Sequence, residues 1–229
     1  MPTLYIAVTN HGFGHATRAA SIAAEIRRLC KAKGLPLTLT LATKSPKWLL
    51  DSYLKGDYIH RPVSFDVGVL QSDSLNMDKP ATLAAMQRIQ SQQAELIEQE
   101  AAYLKAANVD LVLADIPPLM AKIAHHANVP CWMMGNFGWD FIYQPWGDDH
   151  PEFATLVDWI QDCCNYAHRT FRMPFHASMA NMPNVTDIGL TGGTPAYGEA
   201  HLRKLMQSDT PSDRTVLLTF GGLGLSNIP

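Results

Sequence analysis

Two histidines sit in a glycine-broken segment near the amino terminus, where residues 10–18 read Asn-His-Gly-Phe-Gly-His-Ala-Thr-Arg. Gly12 and Gly14 let the backbone turn sharply and approach a ligand closely. A helix beginning there aims unpaired N–H groups and the positive end of its dipole at a polar or anionic group. His15 falls in the first turn of that helix. The dipole disfavours imidazolium at this end, and a neutral imidazole is what a general base requires. The local sequence leaves two readings open: a base facing a crevice above a sheet, or a ring that caps the helix.

These groups act together only if a sheet holds them at one edge. Residues 4–9, 37–42, 58–63, 111–114, 130–134, 170–173 and 185–190 are predicted strands, short and rich in apolar β-formers. Helices are predicted over 16–33, 45–54, 80–108, 119–127 and 152–168. In the first, Ala19, Ile22, Ala23, Ile26 and Leu29 share a face, and Gly34 ends it. Pro80 suits a first helical turn. Residues 65–78 have no period and read as a long, functional loop, and residues 139–146 form an aromatic segment. Strands spaced by helices imply right-handed crossovers and an α/β, Rossmann-like parallel sheet with helices on both faces. Ligands bind such sheets at the carboxy-terminal edge of the strands. His15, Asp115, Asn136, Trp139 and Asp140 are all expected there.

Residues 191–214 are rich in Gly, Pro, Ser and Asp and read as a linker with a short helix inside. Residues 215–220 form one more predicted strand, followed by Gly221-Gly222-Leu223-Gly224. A strand and a glycine turn open a βαβ unit. The expected division is therefore a first domain over 1–190, a linker over 191–214, and the first strand of a truncated second domain over 215–229. An apolar patch is expected around residues 217–225.

With 229 residues and 47% hydrophobic composition, the chain can bury one large core, or one core plus a fragment. A net charge of -3 supplies no basic field for nucleic acid or an anionic membrane. Cys30, Cys131, Cys163 and Cys164 form no C-x-x-C pair and read as free thiols of a reducing compartment. The first residues, Met-Pro-Thr-Leu-Tyr-Ile-Ala-Val-Thr, do not read as a signal peptide, and no stretch approaches the roughly 20 apolar residues that span a bilayer. A cytoplasmic protein is expected, with room for a peripheral membrane contact. A dinucleotide site fits poorly. Gly12 and Gly14 match its first two glycines, but Thr17 stands at the third position, and the second strand runs out through Ala42-Thr43-Lys44 with no acidic residue. His125 and His126, adjacent on a helix, point about 100° apart and make a poor chelate.

Taken together, four blocks resemble glycosyltransferases of the GT-B fold, in the MurG-like group. They are the 10–18 loop, D-L-V-L-A-D-I-P-P at 110–118, G-N-F-G-W-D-F-I-Y at 135–143 and V-L-L-T-F-G-G at 216–222. More narrowly, they resemble the glycosyltransferase-like amino-terminal domain of plant L-arabinokinase and its free-standing bacterial relatives. The resemblance covers nearly the whole chain and says little about which sugar is moved. It implies two Rossmann-like domains facing across a cleft, the amino-terminal one holding the acceptor and the carboxy-terminal one a nucleotide sugar. His15 matches the catalytic histidine, which takes a proton from an acceptor hydroxyl for in-line attack with inversion. Asp115, which ends an apolar run about one hundred residues after His15, matches the aspartate that orients it in some members, where a carboxylate behind the imidazole fixes its tautomer and stabilises imidazolium as it forms. Asp115 also fits as a cap of the following helix or as part of a turn before Pro117. His11, Gly12, Gly14, Arg18, Asn136, Trp139 and Asp140 are the implied substrate-binding residues, since an indole face stacks on a sugar ring and amide or carboxylate groups bind its hydroxyls. Trp139 and Phe141 fit equally well as interface core. Gly221 and Gly222 would meet the donor, expected to be UDP-linked and to carry a hexosyl or N-acetylhexosaminyl group. No cofactor and no metal are expected, because the Asp-x-Asp site of the metal-dependent GT-A class is absent from the sequence. The donor domain would lie in the same or a separate chain, leaving this chain weak or inactive by itself. The competing expectation is a non-catalytic module that binds sugars or nucleotide sugars beside another enzyme.

Overall fold

The computed structural model describes residues 1–195 and 197–218. Its strands are β1 (Thr3–Val8), β2 (Thr38–Ala42), β3 (Ile59–Arg61), β4 (Leu111–Asp115), β5 (Cys131–Gly135), β6 (Arg169–Arg172) and β7 (Val185–Asp187). They form one sheet in the order β3-β2-β1-β4-β5-β6-β7, and every adjacent pair is parallel. The helices are α1 (Gly14–Ala32), α2 (Lys47–Tyr53), α3 (Lys79–Ser91), α4 (Gln93–Ala106), α5 (Leu119–Ala127), α6 (Trp139–Tyr143), α7 (Glu152–Cys164) and α8 (Glu199–Met206).

The alternation of β1 explains the layering. All six of its residues are buried. Leu4, Ile6 and Val8 join one apolar cluster with Ala16, Ala19, Ala20 and Ala23 of α1 and Leu49 and Leu50 of α2. Tyr5 and Ala7 point the other way, into a cluster built from α3, α4, α5, α6 and α7. Small alanines on α1 let that helix lie close to the sheet, so its amino terminus comes down onto the strand ends.

The predicted 80–108 helix is two helices. It breaks at Gln92 (φ -92, ψ 4), which caps α3 and begins α4. The local composition is helix-forming throughout, so packing makes the break: α3 lies against α7 and α4 against α5. Trp159 of α7 donates from Nε1 to Gln93 Oε1 at 3.0 Å and pins the junction. The start of α3 follows the sequence signal, with the Asp78 carboxylate accepting from the Ala81 N–H at 2.9 Å and Pro80 in the first turn. α8 lies within the expected linker, and none of its residues is buried. Residues 215–218 carry no strand, and Val216, Leu217 and Leu218 are highly exposed. Gly221 and Gly222, with the rest of 219–229, lie outside the described residues.

All four cysteines are free. Burial pushes the thiols of Cys131 and Cys163 up to about 12. A low thiolate fraction and closed access together make such thiols inert. In the native protein only Cys30, which is partly exposed, should react with a thiol-specific reagent. Cys131, Cys163 and Cys164 should react only when denaturant unfolds the chain, and counting labelled thiols by mass checks this. No helix among the described residues is long and apolar enough to cross a membrane.

Candidate active site

The sheet order brings β1 and β4 side by side, with Val8 opposite Asp115 and, on the next strand, Met134 beside Asp115. The ladder continues one step further, as Thr9 N–H donates to the Asp115 carbonyl at 3.1 Å. The exit of β1, the end of β4 and the end of β5 therefore share one edge, and α1 starts above it. Immediately after Asp115 the backbone turns through Ile116 at φ 82. This conformation is strained for a β-branched residue and is stabilised only by its surroundings. The strain sits beside the Asp115 carboxylate.

His15 Nδ1 lies 3.0 Å from Asp115 Oδ1, with the carboxylate fully buried and the ring largely so. Arg18, one turn along α1, completes the group. Its Nε donates to Asp115 Oδ2 at 2.8 Å, and its Nη2 meets Asp115 Oδ1 in a close ion pair. Nη1 reaches Asn136 Oδ1 at 3.4 Å. Burial alone would raise the Asp115 carboxyl. The hydrogen bonds from Arg18 and His15, and their charges, outweigh it and hold the group below its ordinary value.

Arg18 Nη2 also lies 2.9 Å from His15 Nδ1. The two contacts at Nδ1 demand opposite roles. Toward Asp115 the nitrogen must carry a proton, and toward Arg18 it must offer a lone pair. A lone pair turned at a buried carboxylate is repelled by a full charge. The Nδ1–H tautomer is therefore favoured, and Nε2 is left with the free lone pair.

Two cavities flank this group. One, of about 370 Å³, is lined by Asn10, His11, Gly12, Phe13, Lys44 and Val69 among others. The other, of about 360 Å³, is lined by Gly14, Thr17, Arg18, Asn136, Gly192 and Gly193 among others. Gly12 turns at φ 65, and a Cβ on either Gly12 or Gly14 would meet nothing within 4 Å, so the loop leaves open space for a ligand. His11 Nδ1 faces the Val69 backbone, 3.1 Å from the carbonyl and 3.3 Å from the N–H. Burial, with the charge of His15 adding to it, lowers the His11 ring below its usual value. Asp140 Oδ2 accepts from Gln161 Nε2 at 3.4 Å. Trp139 is 1% exposed and donates from Nε1 to Asp66 Oδ2 at 2.8 Å, so its faces are core rather than a stacking surface. The exposed aromatic rings near the first loop are Phe13 and Trp48, edge to face at 6.0 Å. His125 packs on Tyr166 and His126 pairs with Glu98, so the two rings point to different partners. Among the described residues no three His, Cys, Asp or Glu side chains cluster as a metal site.

Sequence reasoning did not single out Asp66. It is fully buried and accepts from Thr9 Oγ1 at 2.9 Å and from Trp139. Burial raises its carboxyl from 3.8 to about 6 against the opposing hydrogen bonds. A carboxyl raised on folding binds extra protons in the native state. Its contribution to stability is therefore complete below pH 4, declines between pH 4 and 6, and leaves a cost of up to about 3 kcal/mol above that. Asp66→Asn should remove the cost. The variant is expected to be more stable than wild type at pH 7.5, and the gap should close by pH 4, as read from denaturant midpoints at the two pH values.

No protein-family model matches the chain. It is 28% identical to L-arabinokinase from Arabidopsis thaliana over 219 residues, which is 94% of this chain and 20% of that protein. A UGT transferase from Siraitia grosvenorii in complex with UDP superposes with a TM-score of 0.51 at 14% identity, covering 89% of this chain and 54% of the other. UGT89C1 from Arabidopsis thaliana, complexed with UDP-L-rhamnose, gives 0.54 at 12% identity, covering 93% and 55%. The chain has the fold of one half of a GT-B glycosyltransferase. It spans about half the length of these solved GT-B structures and a fifth of the L-arabinokinase. Within that GT-B half, the edge carrying His15, Asp115 and Arg18 is the candidate active site.

Proposed function

We propose that the chain is the acceptor-side half of an inverting, metal-independent glycosyltransferase that uses a UDP-linked sugar. The observation that carries this reading is the His15–Asp115 contact at 3.0 Å on the ligand-binding edge of a GT-B-type sheet. Asp115 holds Nδ1–H, and Nε2 takes the proton from an acceptor hydroxyl. The acceptor oxygen then bonds to the anomeric carbon as the bond to the diphosphate oxygen breaks and UDP leaves with the electron pair. His11, Gly12, Gly14 and Asn136 line the acceptor space on this reading, and Arg18 acts through Asp115. Residues 1–190 are the acceptor domain, 191–214 the linker, and 215–229 the start of the donor domain, whose Gly221 and Gly222 meet the nucleotide sugar. A cytoplasmic location fits this substrate.

The match to L-arabinokinase favours a second reading, a sugar-binding module that accompanies another enzyme. A transfer assay over a panel of UDP-sugars and hydroxyl acceptors separates the two. It would be run on the protein that carries this chain, wild type against His15→Ala. Transfer by wild type and its loss in the variant, with acceptor affinity kept, supports the transferase. Equal transfer by both removes His15 from the reaction. Saturable sugar binding by both with no turnover of any donor establishes the module.

A further inference from the structure

Asp66 has no exposed surface, and the reaction above makes no use of it. Its carboxylate ties three pieces of chain together. Thr9 Oγ1, at the exit of β1, donates to Oδ1 at 2.9 Å. Trp139 Nε1, at the start of α6, donates to Oδ2 at 2.8 Å. The contact continues from there. The Trp139 ring meets Phe137 edge-on at 5.3 Å, and Phe137 meets the His15 ring edge-on at 5.9 Å. The clamp is closed behind by Gly68. A Cβ there would fall 2.5 Å from His11 Cβ and 2.8 Å from Trp139 Cζ2, and the Gly68 carbonyl accepts from the Tyr143 hydroxyl at 2.5 Å.

The charges point the same way. Arg18, from α1, and His15 both pair with Asp115 at the end of β4, so the imidazole shares that carboxylate with a guanidinium. His11, from the first loop, repels a second positive ring. Asp66 is a remaining buried carboxylate in electrostatic contact with His15, and a charged His15 favours the ionised form of Asp66. By linkage, ionised Asp66 favours charged His15 to the same extent. Tyr143, stacked on Trp139 at 6.0 Å, stays neutral because burial, and then Asp66 itself, raises its hydroxyl.

We propose that Asp66 is a positioning residue for His15, holding the ring through Trp139 and Phe137 and adding to Asp115 a second buried negative charge that stabilises imidazolium once the acceptor proton is taken. This rests on the reading of His15 as the base. Its test does not require turnover, so the two can fail separately.

Asp66→Asn separates charge from shape. The amide oxygen can accept from Trp139 and the amide nitrogen can donate to Thr9 Oγ1, so the clamp survives without its charge. In histidine-resolved NMR titrations the His15 midpoint should move to lower pH, the direction set by the loss of a nearby negative charge, with the backbone spectrum kept. The acidic limb of kcat/KM should move with it. Trp139→Phe keeps the charge and loosens the clamp, so it should shift the His15 ring-proton resonances and leave the midpoint nearly in place. An unmoved His15 midpoint in a folded Asp66→Asn protein would overturn the proposal. If that variant does not fold, carboxyl ¹³C titration of Asp66 in wild type and in His15→Gln gives the same decision. A curve displaced to higher pH in His15→Gln is expected, and identical curves would overturn the coupling.

Discussion

His15→Ala should lower kcat for glycosyl transfer by roughly 10² to 10⁴-fold, the usual worth of a positioned general base, with KM for the acceptor nearly unchanged. The ring lies largely buried between Asp115 and Phe137 and lines neither flanking cavity, one bounded by Asn10, His11, Gly12 and Val69 and the other by Gly14, Arg18 and Asn136. Removing the ring therefore takes away proton transfer and little binding surface. A change confined to kcat means an interaction made only in the transition state. Matched steady-state kinetics on both proteins read it directly. A rise in KM with kcat kept would instead make His15 a binding residue.

Arg18→Ala should destabilise the fold by about 3–5 kcal/mol at neutral pH, the cost of leaving a buried charge without its partner. Asp115 has no exposed surface and draws two guanidinium contacts from Arg18, so the variant leaves a buried carboxylate with no cationic arginine and only the His15 contact described above. The sign with pH follows from the Asp115 carboxyl, which the wild type holds below its ordinary value. Wild type gains stability from this group above the unfolded carboxyl's pKa and loses it as pH falls through the folded one. The variant lacks that gain, so the difference is largest near neutrality and shrinks in acid. The double variant Arg18→Met, Asp115→Leu should recover most of the loss, since replacing both members of a buried pair with apolar groups is often neutral. Denaturant midpoints across this cycle, at pH 7 and pH 4, give the comparison. A double variant as unstable as Arg18→Ala would mean that the strained turn at Ile116, rather than charge pairing, depends on these side chains.

The parts of this site that could be read from the sequence are those that local rules place. Glycines after a short apolar run put His15 at a helix start, and an apolar run closed by Asp115 puts that carboxylate at a strand end, but its pairing with His15 rests on the family resemblance, because nothing local says that β4 lies beside β1. Arg18 was seen as a ligand contact, yet its spacing held the stronger signal. Three residues after His15 on a helix, it shares the same face and must meet whatever His15 meets. Asp66 was not legible, because the 65–78 segment has no period and nothing local says which of its side chains turns inward. Trp139 carried both readings, and only the Asp66 acceptor beneath it decides that the ring is core. The break at Gln92 escaped for a related reason. Alanine, glutamine and glutamate favour helix on both sides of it, and the divergence of α3 toward α7 and α4 toward α5 is a tertiary choice.

The central claim is that Asp115 fixes the His15 tautomer so that Nε2 presents a lone pair to the acceptor. Long-range ¹H–¹⁵N correlation of the His15 ring, at a pH where the ring is neutral, reads this tautomer without substrate or turnover. The account expects Nδ1 at a protonated-nitrogen shift and Nε2 at an unprotonated one, with both reversing or averaging in Asp115→Ala. A wild-type spectrum with the proton on Nε2 would show that Nδ1 accepts from Arg18 instead, and His15 could not then serve as the base through Nε2.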